Sequence, residues 1–153
     1  MLKFEQNFPM NSLTTLQIGG PAKLFIKVTT PQELIEAIKY AKDHQLPYLV
    51  IGGGSNLLVS DEGVNSLIIK NNISGIEHQG QNLKVKTGTI LQDLVDYTIS
   101  HGLSGIQKMT GIPGTVGGAI FGNAGAYGQT ISDNIISVVV LSDPELVEGE
   151  SKD

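Results

Sequence analysis

The sequence predicts an α+β fold, and three observations carry the prediction. An alternating apolar run, a capped helical period and a continuous apolar run follow one another over residues 22–51. Short apolar runs separated by Gly, Asn and Asp then occupy residues 57–87, and a second helical period precedes a glycine-dense stretch. Strand-period and helix-period segments are thus mixed along one chain, which fits neither a helical bundle nor an all-β sandwich.

Each element has its own reason. In Ala22-Lys23-Leu24-Phe25-Ile26-Lys27-Val28, Ala, Leu, Ile and Val alternate with Lys, Phe and Lys at the period of a half-buried strand. Thr30-Pro31-Gln32-Glu33 then supplies a capping threonine, a proline at the first helical position and a glutamate that can bond back to the cap. Leu34, Ile35, Ile38 and Ala41 form the apolar face of the helix this begins. Pro47 ends the segment, and Tyr48-Leu49-Val50-Ile51 is expected as a fully buried strand. Residues 57–59, 67–70, 73–78 and 83–87 are strand candidates, expected to form a mostly antiparallel middle. A second helix is expected from a Thr89 cap with Gln92 in the reciprocal position; it buries Leu91, Leu94, Val95 and Thr98 and stops at His101-Gly102. Residues 135–141, IISVVVL, are a further strand candidate before the acidic tail 142–153. A strand this apolar ordinarily leads into a partner element, so the chain reads as interrupted there. No fixed-period repeat or linker divides it.

Composition narrows the function. The 153 residues contain no cysteine, which excludes disulfides, thiolate metal sites and thiol nucleophiles. With 10 Lys+Arg against 15 Asp+Glu and a net charge of -5, no broad basic face is available for nucleic acid or an acidic membrane. All the basic residues are lysines, so the bidentate clamps that arginine makes are missing. No apolar run reaches the ~18 residues of a membrane span and no signal-peptide pattern opens the chain, so a cytoplasmic location is expected. The 19 glycines cluster between apolar runs instead of spreading through polar sequence, which marks built loops rather than disorder.

Two glycine clusters carry the functional signal. Gly52-Gly53-Gly54-Ser55-Asn56 leaves an apolar run with several unencumbered backbone N–H groups in a row, the makings of an anion-binding concavity. It lacks the Gly-Lys-Ser/Thr of a phosphate-binding P-loop, has no lysine in the next ten residues, and does not match the dinucleotide pattern G-x-G-x-x-G. A glycine turn without ligand is the plain alternative for this loop taken alone. The second cluster, TGIPGTVGGAIFGNAGAYG at 110–128, is too rich in glycine for an ordinary helix and too apolar for a flexible linker. A packed loop system with one helical turn remains. Two such loops about sixty residues apart, both free of positive charge, suit a diphosphate held by backbone dipoles with a flat ring attached.

The motifs Asn11-Ser12-Leu13-Thr14-Thr15, Ile18-Gly19-Gly20-Pro21-Ala22, Ile51-Gly52-Gly53-Gly54-Ser55-Asn56-Leu57-Leu58, Gly111-Ile112-Pro113-Gly114-Thr115-Val116-Gly117-Gly118-Ala119 and Asn123-Ala124-Gly125-Ala126-Tyr127-Gly128 occur in this order. Together they closely resemble the N-terminal, FAD-binding half of UDP-N-acetylenolpyruvoylglucosamine reductases, over residues 11–141. The resemblance implies a FAD-binding fold of the vanillyl-alcohol-oxidase or p-cresol-methylhydroxylase type with two α+β subdomains. It implies a segment 1–20, a FAD-binding domain 21–141 with subdomains of about 21–70 and 71–141, and the tail 142–153. It also implies the chemistry: NADPH reduces FAD, which passes a hydride to the enolpyruvyl group of a UDP-sugar in peptidoglycan synthesis. In that reading Gly52, Gly53, Gly54, Ser55, Asn56 and Leu57 cradle the pyrophosphate. Thr110, Gly111, Ile112, Pro113, Gly114, Thr115, Gly117, Gly118 and Ala119 line the flavin with Asn123, Gly125, Ala126, Tyr127 and Gly128, and Tyr127 lies near the ring or the substrate entrance.

The family's arginine, in a Tyr-Arg-x-Ser-x-Phe stretch, and its later serine and glutamate have no counterpart in this sequence, so no catalytic residue is assigned. Hydride transfer to an enolpyruvyl carbon leaves an enolate that needs stabilisation and a proton. The expectation is a flavin-binding half without the family's C-terminal substrate domain, inactive alone. A non-catalytic flavin module working with a partner chain, and a fragment that binds nothing, are the alternatives.

The remaining polar residues read plainly. His44, His78 and His101 have no metal-ligand spacing, and His101 suits a helix C-terminus. Asp61, Glu62 and Asp93 read as turn and surface carboxylates, and Lys84 and Lys86 as the solvated side of a strand. Tyr127 reads as a ligand-touching aromatic, with a core position as the alternative.

Overall fold

The computed structural model describes residues 2–140 of the chain. Strand β1 (Glu5–Pro9) runs antiparallel to β2 (Pro21–Val28), which leads into helix α1 (Pro31–Asp43), strand β3 (Tyr48–Ile51) and strand β4 (Val64–Asn71). The sheet order is β1-β2-β4-β3, and β4 is parallel to both of its neighbours. The expected antiparallel middle is therefore corrected at β4. Leu67, Ile68 and Ile69 are apolar on both faces, as a central parallel strand requires. Only the hairpin β5 (Ile76–Gln79) and β6 (Asn82–Val85) has the expected antiparallel form.

Alternation sorts the side chains of this sheet onto two covered faces. Ile26, Val28, Leu67 and Ile69 pack with Ala37 and Ala41 of α1, while Phe25, Ile51 and Ile68 pack with Met10. Phe25, expected on the open side with the lysines, is buried there because the N-terminal segment covers it. Its ring stacks on Phe8 with centroids 3.9 Å apart. The α1 cap forms as expected: Glu33 N–H donates to Thr30 Oγ1 at 3.2 Å, and the Glu33 carboxylate accepts from Thr30 N–H at 3.2 Å and Thr29 N–H at 2.7 Å. The buried face of α1 turns toward Ala37, which leaves Ile35 42% exposed instead of in the core.

Two further strand expectations fail for want of a neighbour. β3 lies at the sheet edge, paired only to β4, so Tyr48, Leu49 and Val50 are 39–47% exposed rather than fully buried. Residues 57–59 form no ladder; Val59 packs against Gly19, and Gly20 N–H donates to the Ser60 carbonyl at 2.8 Å. Residues 135–140 likewise make no strand, and Ile136 and Val139 are exposed. Leu141 and the acidic tail 142–153 lie outside the described residues.

The second half of the chain builds its own core. Helix α2 (Leu91–Ser100) buries Leu91, Leu94, Val95 and Thr98 as expected, and ends at His101 before Gly102 at φ +66. Its expected cap is not made. Thr89 Oγ1 is taken by the Gly75 backbone and the Gln92 side chain by Asp96 and Gly111 N–H, so Ile90 caps without a side-chain bond. Helix α3 (Val116–Phe121) supplies the single short helix expected in the glycine cluster. Leu91, Leu94 and Val95 pack with Met109, Val116, Ala119 and Ile131. Strands β7 (Gly125–Ala126) and β8 (Gln129–Thr130) close a tight hairpin through Tyr127 and Gly128, both at positive φ. Among the described residues no helix is long and apolar enough to cross a membrane.

Thr30→Ala is expected to cost about 1 kcal/mol in urea unfolding. The bonds from Thr29 and Thr30 hold the Glu33 carboxyl below its ordinary value. Its contribution is therefore complete above the unfolded glutamate value of about 4.3 and fades as pH falls through the lower folded value. The stability gap between wild type and Glu33→Gln should accordingly narrow on acidification.

Candidate functional site

Parallel strands end together, and here the ends of β2, β4 and β3 bring Val28, Asn71, Lys70 and Ile51 side by side, with Val28 opposite Asn71 and Ile51 opposite Lys70. In open parallel sheets ligands bind beyond these carboxyl ends, where the connecting loops part. The chain leaves β3 there as Gly52-Gly53-Gly54-Ser55-Asn56. Gly54 adopts φ +73, and a Cβ on it would fall on the Leu13 carbonyl oxygen, so only glycine fits. Thr15 N–H donates to the Gly54 carbonyl at 3.3 Å and fastens the loop to the N-terminal segment.

The second glycine loop meets the first directly. A Cβ on Gly53 would stand 2.9 Å from Gly114 Cα, one on Gly52 would collide with Thr115 Oγ1, and Ser55 Oγ donates to the Pro113 carbonyl at 3.1 Å. Backbone bonds hold residues 113–117 in place: Leu91 N–H to the Gly114 carbonyl at 3.0 Å, Val116 N–H to Thr89 at 2.8 Å and Gly117 N–H to Thr87 at 2.7 Å. Thr115 caps α3, its hydroxyl accepting from Gly118 N–H at 3.3 Å. Beside the contact lies a cleft of about 250 Å³, lined by Gly53, Thr115, Lys70, Asn71, Asn72, Ser74, Gly88, Ile90 and Asp93.

Donors suited to an anion lie in the cleft at Gly53 and next to it along the two loops. The N–H groups of Gly53, Gly54, Ser55, Asn56 and Gly114 have no acceptor among the described residues. Lys70 Nζ donates to the Gly52 carbonyl from the neighbouring strand. Burial, and the charge of Lys27 beside it, push the Lys70 ammonium below its ordinary basicity. The expectation of a site free of positive charge is therefore corrected, because sheet register brings in a cation that linear distance hides. Its only sequence signal is a lysine closing the apolar run Leu67-Ile68-Ile69.

The other expected residues divide. Leu57, Ile112 and Ala119 pack against the cores, and the Thr110 hydroxyl donates to the Gln107 carbonyl at 2.7 Å. Asn123, Gly125, Ala126, Tyr127 and Gly128 lie at the β7–β8 hairpin, outside the cleft lining. Tyr127 is 84% exposed, which removes the core alternative for it. Asn71, Asn72, Ser74 and Ile90 join the cleft unannounced by any motif. Groups of His, Asp and Glu able to hold a metal are absent among the described residues.

A mixed sheet with two glycine loops at its carboxyl edge is the arrangement of a nucleotide-binding α+β domain, and the comparisons specify which. Residues 22–148 match the FAD binding domain family, and the chain belongs to it. The fold is the FAD-binding fold of the vanillyl-alcohol-oxidase type. The chain is similar to the UDP-N-acetylenolpyruvoylglucosamine reductases of Rubrobacter xylanophilus (39% identical, covering 95% of this chain and 49% of the relative) and Clostridium botulinum strain Alaska E43 (34% identical, 99% and 50%). It spans about half the length of these curated relatives. The crystal structure of UDP-N-acetylenolpyruvylglucosamine reductase from Thermus caldophilus superposes with a TM-score of 0.66 at 36% identity, covering 87% of this chain and 46% of that one. Aclacinomycin oxidoreductase, at 16% identity and a TM-score of 0.61 over 80% of this chain and 27% of that one, shares the fold.

Gly53→Ala is expected to push the two loops apart and cost about 1–3 kcal/mol in thermal unfolding. Gly118→Ala is the contrast. Its Cβ would meet Thr115 Oγ1 at an ordinary 3.5 Å within α3, so the change should be neutral or slightly stabilising.

Proposed function

We propose that this chain holds FAD across the two glycine loops and serves as the flavin-binding part of an NADPH-dependent reductase that converts UDP-N-acetylglucosamine enolpyruvate to UDP-N-acetylmuramate, a step of peptidoglycan synthesis. The observation that carries the reading is the contact of Gly52 and Gly53 with Gly114 and Thr115, beside N–H groups that have no acceptor among the described residues. Those features fit a dinucleotide. Successive amides of residues 53–56 offer donors to a diphosphate, and the absence of side chains on the glycines lets its oxygens approach the backbone. FAD bound there would supply two-electron chemistry, the relay of a hydride from NADPH to an enolpyruvyl carbon. A reaction drawing on NADPH and a UDP-sugar fits a cytoplasmic location, which is proposed with it. Two core clusters on the faces of the sheet and a third around α2 and α3 support a reading in two subdomains of about 21–70 and 71–141.

The chain's own residues bind and orient; they do not complete the reaction. An enolate needs a fixed cation or donors and then a proton, and the arginine, serine and glutamate that the family resemblance assigns to those roles have no counterpart in this sequence. His78 and His101 are engaged with Tyr97 in an exposed ring cluster, away from the cleft lining. Tyr127 and Phe121, 84% and 97% exposed, are the aromatic surfaces near the second loop free to cover a flat ring.

Purified protein is expected to retain flavin absorbance through gel filtration and to gain about 2.7 kcal/mol of stability at a free FAD concentration one hundred times Kd. Protein with no absorbance and no thermal shift would refute the binding. Supplied with FAD, NADPH and the enolpyruvyl sugar, the chain alone should give no turnover, and measurable turnover would refute the assignment of the chemistry to groups it lacks.

A further inference from the structure

We propose that Lys70 is the cation of the cradle, an ammonium that contacts the diphosphate of the nucleotide held by the two glycine loops. The inference rests on the FAD reading above and adds to it a residue that no glycine motif contains. Register fixes its place: Lys70 lies opposite Ile51, the last residue before the first loop, and lines the same cleft as Gly53 and Thr115. An ammonium carries three donors, and the protein engages one, on the Gly52 carbonyl. The others have no acceptor among the described residues.

Electrostatics make the position costly without an anion. Lys27 lies opposite Lys70 in the parallel register of β2 and β4, and its charge acts on the half-buried Lys70 ammonium. Burial and this repulsion both disfavour the Lys70 charge, and no carboxylate among the described residues offsets them. Asp93, on the first turn of α2, also lines the cleft but is exposed and does not perturb Lys70. A purely structural tether for Gly52 would not require a charge, since any neutral donor could serve. A diphosphate supplies what is missing: it neutralises the pair, accepts the remaining ammonium protons and takes the N–H groups of residues 53–56 at the same time.

The test is FAD titration of wild type, Lys70→Met and Lys70→Arg at low and high salt, with thermal unfolding of each protein alone. Lys70→Met keeps the aliphatic stem and removes the charge. It should weaken FAD at least about tenfold at low salt, as loss of a charged hydrogen bond does, with a smaller deficit at high salt. Lys70→Arg should stay within a few-fold of wild type. Unchanged affinity in Lys70→Met, or an equal loss at every salt concentration that tracks a fall in melting temperature, would overturn the proposal. Should Lys70→Met not fold, Lys70→Gln is read by the same criteria. If wild type takes up no FAD, the flavin reading fails separately, and Lys70 is judged with pyrophosphate. Stabilisation of wild type but not of the variant supports an anion site; no stabilisation of wild type overturns it.

Discussion

The close approach of Gly53 to Gly114 is the constraint on which the site depends. Residues about sixty positions apart meet backbone to backbone: a Cβ on Gly53 would stand 2.9 Å from Gly114 Cα, and one on Gly114, at φ +125, would stand 3.2 Å from Ser55 Oγ. The loops touch by packing, helped by the Ser55 to Pro113 bond, and not by pairing their amides. That distinction matters. Had the loops closed as a ladder, the N–H groups of residues 53–56 would be spent on carbonyls; packed as they are, those donors have no acceptor among the described residues. Water can serve them while the cleft is wet, and an anion can replace that water without any protein bond being broken.

The same constraint explains how the two halves of the chain cooperate. The first half supplies a parallel sheet whose strand ends carry Lys70 and the first loop, with its cores under α1 and the N-terminal segment. The second half supplies α2, α3 and the loop between them, fixed by the Gly117 and Val116 N–H groups donating to the Thr87 and Thr89 carbonyls. Neither half contains the cleft alone. Electrostatically the cleft sets one half-buried ammonium, Lys70, against the exposed Asp93 carboxylate, with the loop amides beside it, in a chain of net charge -5, so any attraction for an anion is local and not a steering field over the surface.

What the sequence disclosed follows the range of the physics involved. The α1 cap is local, three residues reaching one another, and Thr30 and Glu33 behave as their spacing indicates. The buried face of α2 is equally legible from its period. The glycine clusters were legible as loops, and their convergence was a reasonable inference from chemistry. The misses all turn on neighbours that the sequence does not name. Thr89 lost its cap to Gly75, β3 became an edge because β4 inserted inside it, and residues 57–59 found a loop instead of a strand beside them. Lys70 is the clearest case. It is eighteen residues from Gly52 in sequence and in hydrogen-bond contact in space, a relation set by strand register alone.

Amide chemical shifts measured while FAD is added to isotope-labelled protein test the central claim most directly, since the claim concerns particular N–H groups. The account predicts that the amides of residues 53–56 and Gly114 shift together along one saturable curve. Shifts confined to another place, such as the hollow lined by Asn11, Ser12, Thr14 and Gln17, with residues 53–56 unmoved, would contradict it.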